Sequence, residues 1–452
     1  MKNDPSLQIA ANLGTGMAAD LSRLSEEGRP VRVAIVGCGE MGTDLITAMA
    51  PMRGIKVVAV ADRRLQGAPA AIRIAGYDDD KGRICENPGA MSMAIEQGKI
   101  AITQNSDDVI AHDQVDVVID ATGRPVAGAQ VGMRAIGAGK HLVMMNVEAD
   151  VTIGPYLRRQ AEKADVVYTV GAGDEPSSTM ELINFVVSLG YPVVAAGKGK
   201  NNAFNIDAVP DDYRAEAERR NMNPRMLVEF VDGSKTMVEM SCIANATGLL
   251  IDKPGMHGPD CSLDDLHHYL CPQKDGGLLS ARGRVDFSVG KGVAPGVFVI
   301  AEMAHPRIRE RMNDLHLGEG PYYTFYRPFH LTSLEVPLSA ARAVLYGTAD
   351  MQPLNRPVAE VCARAKKSMN VGDQLDAIGE YCYRSWAMDA SEARVENALP
   401  VGLLQNANVI APIRKGDLIT SINVAPDQTT ALYQLRQKQD QLLGYKNTLM
   451  NG

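Results

Sequence analysis

The chain reads as an α/β protein: a doubly wound parallel sheet at the amino end, a central α+β region with an antiparallel sheet, and a small β-rich carboxyl end. Three observations point there. The apolar run Val31–Val36 ends in Gly37-Cys38-Gly39-Glu40-Met41-Gly42, and helical spacing at Leu45, Ile46 and Met49 follows it. Apolar runs then alternate with helix-period segments as far as residue 172, the pattern of parallel strands joined by crossover helices. After residue 190 the chain turns to short strands and glycine-rich turns, and Pro353 and Pro357 set off the last part. The expected domains are 1–172, 173–350 and 351–452.

Residues 1–30 are polar, with a short helix expected from Met17 to Leu24. The glycine turn follows. Its first glycine permits a tight bend, its second lets a pyrophosphate approach the backbone, and its third lets the helix pack on the strand. The helix N-terminus then offers free N–H groups to the phosphates. Gly37, Gly39, Glu40, Met41 and Gly42 are therefore candidate cofactor residues. Ile55–Ala61 reads as the second strand and closes on Asp62, about twenty positions after the last glycine, where a dinucleotide fold places its ribose reader. Arg63 and Arg64 come next, and paired guanidinium groups suit a 2′-phosphate, which favours NADPH over NADH. Asp120-Ala121-Thr122-Gly123 follows a buried run, at the kind of strand end where open α/β sheets bind ligands, so Thr122 and Gly123 are candidates for the nicotinamide side.

Asp174 and Glu175 precede a helical segment at Thr179–Leu189. They suit a loop before a helix cap, and they also suit oxygen ligation of a divalent cation, Mg2+ or Mn2+. Val193–Ala196 reads as a strand, followed by Gly197-Lys198-Gly199-Lys200-Asn201-Asn202, a dense set of donors on an adaptable backbone that fits an oxyanion or phosphate. Asp207–Asn221 is expected to be an exposed charged helix, and Leu227–Phe230 and Lys235–Met240 to be strands joined by a hairpin at Asp232-Gly233. His257 stands in a glycine- and proline-bounded loop. Gly283–Val289 and Val297–Glu302 alternate as strands around a turn at Gly290–Gly296, which places Arg284 on a strand and Lys291 at a loop tip. Tyr322–His330 gathers aromatics as a packed strand or interface, and Leu334–Tyr346 is a strong helix. Ala398–Thr420 reads as short strands and turns, and Thr429–Leu443 as a charged helix.

Composition removes several classes. A net charge of −8 leaves no general footprint for nucleic acid or an anionic membrane. No apolar run is long enough for a membrane span, and the first residues lack an apolar signal core. The seven cysteines are scattered, odd in number and free of any Cys-x-x-Cys, which suits a reducing cytoplasm and argues against a thiolate zinc site.

Gly37–Gly42, Asp120–Gly123 and the block Met144-Met145-Asn146-Val147-Glu148-Ala149 resemble the homoserine-dehydrogenase-like oxidoreductases, and Ala398–Thr420 resembles a SAF (antifreeze-protein-like) module. The combination is similar to the 1-deoxyxylulose 5-phosphate reductoisomerase-like family of isoprenoid biosynthesis. That resemblance implies a Rossmann domain, a catalytic and dimerisation domain and a SAF-like end. It also implies a cytoplasmic enzyme that converts 1-deoxy-D-xylulose 5-phosphate to 2-C-methyl-D-erythritol 4-phosphate with NADPH. In that reading Lys198, Lys200 and Asn201 polarise substrate oxygens, and Glu148 or Asp174 handles a proton or a cation held with Glu175. Asn202, His257, Arg284 and Lys291 then bind substrate, with Arg284 or Lys291 on the phosphate. One position departs from the pattern: Glu148 stands where homoserine dehydrogenases carry a catalytic lysine. The alternatives are an NADP-dependent dehydrogenase of another sugar or polyol phosphate, and a dinucleotide-binding sensor without turnover.

Overall fold

The structure, a computed structural model, describes Ile9 and residues 13–200, 204–220 and 222–445. Asn201 and Asn202 lie outside the described residues. The chain divides into two units: Met1–Asn146, Leu157–Asp174 and Leu331–Gln352 form the first, and Val147–Tyr156, Glu175–His330 and Pro353–Gly452 the second.

The first unit is built on seven strands: β1 (Val31–Val36), β2 (Ile55–Ala61), β3 (Gly82–Ile84), β4 (Ile100–Thr103), β5 (Val117–Asp120), β6 (His141–Met144) and β7 (Tyr168–Val170). Their order is β3-β4-β2-β1-β5-β6-β7 and every pair is parallel. This is the doubly wound sheet expected from the alternating pattern. Strands buried on both faces read as nearly continuous apolar runs, and β1, β2 and β5 do apart from Arg32, Lys56 and Asp120. The chain leaves β1 toward β2 on one side and later places β5 on the other, so the topological switch lies at the carboxyl end of β1.

Residues 331–352 belong to this unit and not to the second predicted domain. The helix Val336–Tyr346 buries Val336, Ala340 and Ala341 in the same core as Val33, Ile35 and Val143. Two polar contacts fix it: Ala172 N–H donates to Ser339 Oγ at 2.7 Å, and Val170 bridges Met351. The linker at Pro353 marks a return to the other unit.

The second unit carries a five-stranded sheet: β8 (Val193–Gly199), β9 (Leu250–Ile251), β10 (Arg284–Ser288), β11 (Val297–Glu302) and β12 (Tyr322–Arg327), in the order β12-β11-β8-β10-β9. It is mixed, where an antiparallel sheet was expected: β8 and β9 run parallel to β10, while β11 is antiparallel to β8 and β12. β10 and β11 do not form a hairpin, because β8 lies between them. Leu227–Phe230 and Lys235–Met240 are helical, not strands; the helices are Pro224–Val231 and Ser234–Thr247. Asn223 caps the first through Arg225 N–H, and its buried residues Leu227, Val228 and Val231 share one helical face. The Asp232-Gly233 pair that signals a hairpin is a helix-to-helix joint, with Gly233 left-handed at φ 84°. The charged stretch Asp207–Asn221 contains a 3-10 turn, Pro210–Tyr213, and a short helix, Arg214–Arg219.

Two small antiparallel pairs lie in the carboxyl region, β13 (Ala359–Ala365) with β14 (Tyr383–Asp389) and β15 (Asn408–Val409) with β16 (Val424–Ala425). This region shares the second unit, in contrast to the separate domain expected at 351–452. Buried polar ties explain why. Lys366 pairs with Asp232 at 2.7 Å, and Asn245 accepts from Val358 N–H and Ala359 N–H. Arg436, on the helix Ala431–Leu442 and held by Glu360 at 2.6 Å, donates through Nη1 to Thr152 O at 3.3 Å. Among the described residues no helix is long and apolar enough to cross a membrane.

Candidate active site

In the first unit, parallel register brings the predicted cofactor residues to one sheet edge. Val36 pairs with Ala61 and with Asp120, so Gly37, Asp62 and Ala121 leave adjacent strands together. Gly37 takes φ 100°, and a Cβ there would lie 2.6 Å from Ala121 O. A Cβ at Gly42 would lie 2.2 Å from Gly37 O, whereas at Gly39 it would meet nothing within 4 Å. The outer glycines thus serve packing, and the middle one leaves open space. The helix Glu40–Met49 starts there with no side-chain cap, so its first N–H groups face that space. Met41 follows Glu40 in the same first turn. These features fit a bound dinucleotide.

Asp62 is occupied locally. Its carboxylate accepts from Cys38 N–H at 2.6 Å and Arg64 N–H at 2.8 Å, which ties the glycine turn to the end of β2. Arg63 and Arg64 are exposed beside it. Burial, then the Asp62 charge, pushes the Cys38 thiol up to about 12, so this cysteine is a packing residue. Thr122 N–H donates to Asp120 Oδ1 at 3.1 Å, while Thr122 Oγ1 is buried with no partner among the described residues; Gly123 turns with φ 63°.

The second unit holds the lysines. Gly197-Lys198-Gly199 is the end of β8 and not a flexible loop. A Cβ at Gly197 would fall 1.6 Å from Asp286 O, and one at Gly199 would fall 2.1 Å from Val293 O, so both glycines admit close neighbours. Lys198, only 6% exposed, donates to Glu175 at 2.7 Å and to Glu239 at short range. Burial alone would lower its pKa, but the two carboxylates overcome that and hold it above the ordinary lysine value. His330 Nε2 lies 3.4 Å from Glu175, and its Nδ1 is buried without a partner among the described residues.

Lys200 is 5% exposed and differs from Lys198. Burial, then the charge of Lys198, brings it down to about 8 against the opposing pull of Asp232. Its ammonium sits 5.3 Å from the Phe204 ring centroid. One lysine is thus a fixed cation and its neighbour a group able to exchange a proton near neutral pH.

The remaining predicted residues lie in other groups. Glu148 opens the helix Val147–Lys163 and pairs with Lys235 at 3.3 Å. His257 and Arg284 converge on one carboxylate: Asp252 accepts from Arg284 Nε at 2.7 Å and lies 2.8 Å from His257 Nε2. Hydrogen bonds from Ser280, Arg284 and His257 overcome the effect of burial and hold Asp252 well below the usual carboxylate range. That occupies the Arg284 charge. Lys291 is exposed beyond β10, and Asp174 closes the first unit where Glu175 opens the helix Glu175–Ser188 of the second. Sequence reading missed Glu239, His330, Lys235 and Lys366. The signal for Glu239 was a lone carboxylate inside the apolar run Met237–Met240, which a buried cation partner accounts for.

Residues 37–170 match the family described as "Homoserine dehydrogenase, NAD binding domain", and residues 173–336 match "Oxidoreductase DRL, catalytic domain". Together these make the chain an oxidoreductase dependent on a nicotinamide dinucleotide. No curated protein matches the chain. Similar solved structures include a putative myo-inositol dehydrogenase from Sinorhizobium meliloti, 13% identical over 70% of this chain and 90% of that one, TM-score 0.39. An apo scyllo-inositol dehydrogenase from Lactobacillus casei is 15% identical over 60% and 72%, TM-score 0.36. A DOX-P reductoisomerase with fosmidomycin and magnesium is 18% identical over 46% and 56%, TM-score 0.34.

Proposed function

We propose that the protein is an NADPH-dependent reductoisomerase that converts 1-deoxy-D-xylulose 5-phosphate to 2-C-methyl-D-erythritol 4-phosphate. The observation that carries this reading is the buried Lys198–Glu175–Glu239 cluster beside Lys200, within the residues that match an oxidoreductase catalytic domain. The reaction moves a proton from a hydroxyl, breaks one carbon–carbon bond and forms another, and leaves an aldehyde. Bound NADPH supplies the hydride that reduces it. Lys198 is the fixed charge that stabilises the developing oxyanion, and Lys200 carries the proton. Exposed Arg63 and Arg64 support the choice of NADPH over NADH. Glu148 does not replace the missing lysine by itself, and its partner Lys235 brings a cation to that position. Glu175 and His330 offer an oxygen and a nitrogen that would hold a divalent cation over neighbouring substrate oxygens.

NADPH oxidation measured across sugar phosphates, with and without chelator, tests the proposal. Turnover of 1-deoxyxylulose 5-phosphate with formation of the branched product is expected. Turnover of other carbonyls alone would leave a plain dehydrogenase, and tight NADPH binding without any turnover would leave a sensor. Full activity in Lys198→Ala and Lys200→Ala would remove both lysines from the mechanism.

A further inference from the structure

The carboxyl region brings two like charges face to face. Arg364 on β13 and Arg384 on β14 are direct register partners, an arrangement that destabilises a strand pair unless something offsets it. Both guanidinium groups pack on the ring of Trp386, at 5.0 and 4.6 Å from its centroid. Among the described residues neither has a carboxylate within ion-pair distance. The nearby acids are already engaged, Asp232 by Lys366 at 2.7 Å and Ser234 N–H at 2.8 Å, and Asp207 by Lys415 at 2.8 Å. Three donors there are buried and have no partner among the described residues: Arg364 Nε, Arg384 Nη1 and Trp386 Nε1. An indole face attracts cations but carries no charge to neutralise two of them. Each of the three residues remains partly exposed, so the cluster borders solvent.

We propose that Arg364, Arg384 and Trp386 form a phosphate-binding subsite that holds the phosphate of the substrate whose reacting end meets Lys198 and Lys200. This rests on the proposed phosphorylated substrate. Continuity with the lysines comes through one helix. Ser385 N–H donates to Ser234 Oγ at 2.9 Å, and Ser234 opens the helix that carries Glu239, the partner of Lys198. Asp232, just before that helix, acts electrostatically on both Lys200 and Arg384, which sets the two cations around one carboxylate. Burial and the facing Arg364 lower the Arg384 pKa more than Asp232 and Asp207 raise it. The sequence candidates for this role fit it less well, since Asp252 occupies Arg284 and Lys291 is exposed.

Trp386 is the only tryptophan of the chain, so its emission reports on this site alone. Inorganic phosphate titrated into the full-length protein without cofactor, against chloride at constant ionic strength, should give a saturable change in emission. Deoxyxylulose 5-phosphate should reproduce it, and unphosphorylated deoxyxylulose should not. Arg364→Gln and Arg384→Gln should each weaken the response about ten- to a hundredfold. Arg384→Lys should restore part of it, and serves as the reporter if a Gln variant fails to fold. No response to either phosphate compound, or an unchanged response in the Arg364→Gln/Arg384→Gln double variant, overturns the subsite. A response to inorganic phosphate that the sugar phosphate neither reproduces nor competes for overturns its assignment to substrate. Binding is read here without turnover: sugar-phosphate binding in a protein that never oxidises NADPH keeps the subsite and removes the proposed reaction.

Discussion

Two glycine-rich stretches, Gly37–Gly42 in the first unit and Gly197–Lys200 in the second, look alike in sequence and differ in structure. The first surrounds open space: Gly39 has no neighbour a Cβ would meet, and Arg63 and Arg64 are exposed beside it. The second is packed, since its glycines admit the backbones of Asp286 and Val293 and its lysines are 6% and 5% exposed. Glycine serves ligand approach in one case and strand packing in the other. Charge behaves accordingly. Exposed arginines keep water as a partner, while a buried lysine must be neutralised by carboxylates or give up its proton.

The largest effect should come from Lys198→Ala. Steady-state kinetics should show kcat reduced about a hundred- to a thousandfold, the usual loss when one oxyanion-stabilising group is removed. Denaturant unfolding should show a loss of about 3 kcal/mol, because Glu175 and Glu239 lose their common cation. If only activity fell, the buried pairing would not be structural and the contrast with the arginines would fade. Gly197→Ala should follow, costing about 3 kcal/mol through backbone overlap. Gly39→Ala should leave the melting temperature unchanged and weaken NADPH binding; equal destabilisation by both would break the comparison.

Arg63→Ser/Arg64→Ser should lower the preference for NADPH over NADH about tenfold, while stability shifts by less than about 0.5 kcal/mol, as for other exposed substitutions. The smallest effect concerns pH. Lys200, held down to about 8, should give kcat an inflection there that Lys200→Ala abolishes. The sign for stability follows from proton counts. Between about 8 and the ordinary lysine value near 10.4 the unfolded chain binds more protons, so stability rises with pH across that window. Wild type and Lys200→Ala melted at pH 7.5 and 10 should differ in that slope; parallel slopes would show Lys200 to be ordinary.

Legibility in the sequence followed the range of the interactions. The strand–turn–helix at Gly37–Gly42 could be read because its parts are contiguous and its outer glycines answer a local packing need. The Asp232-Gly233 pair was misread because one dipeptide serves both a hairpin and a helix-to-helix joint, and only the helical face of Leu227, Val228 and Val231 decides between them. Glu239 meets Lys198, and His330 meets Glu175, from positions far apart along the chain, and no spacing rule foretells such a meeting.

By itself the sequence determined the parallel sheet, the glycine turn at its carboxyl end and the presence of paired lysines, since periodicity and glycine placement are local properties of the backbone. Tertiary structure alone decided that β8 is inserted between β10 and β11, that Lys198 is fixed while Lys200 titrates, and that Arg364 faces Arg384. Each of these depends on which distant groups share a desolvated volume, and desolvation, unlike pattern, exists only once the chain has closed on itself.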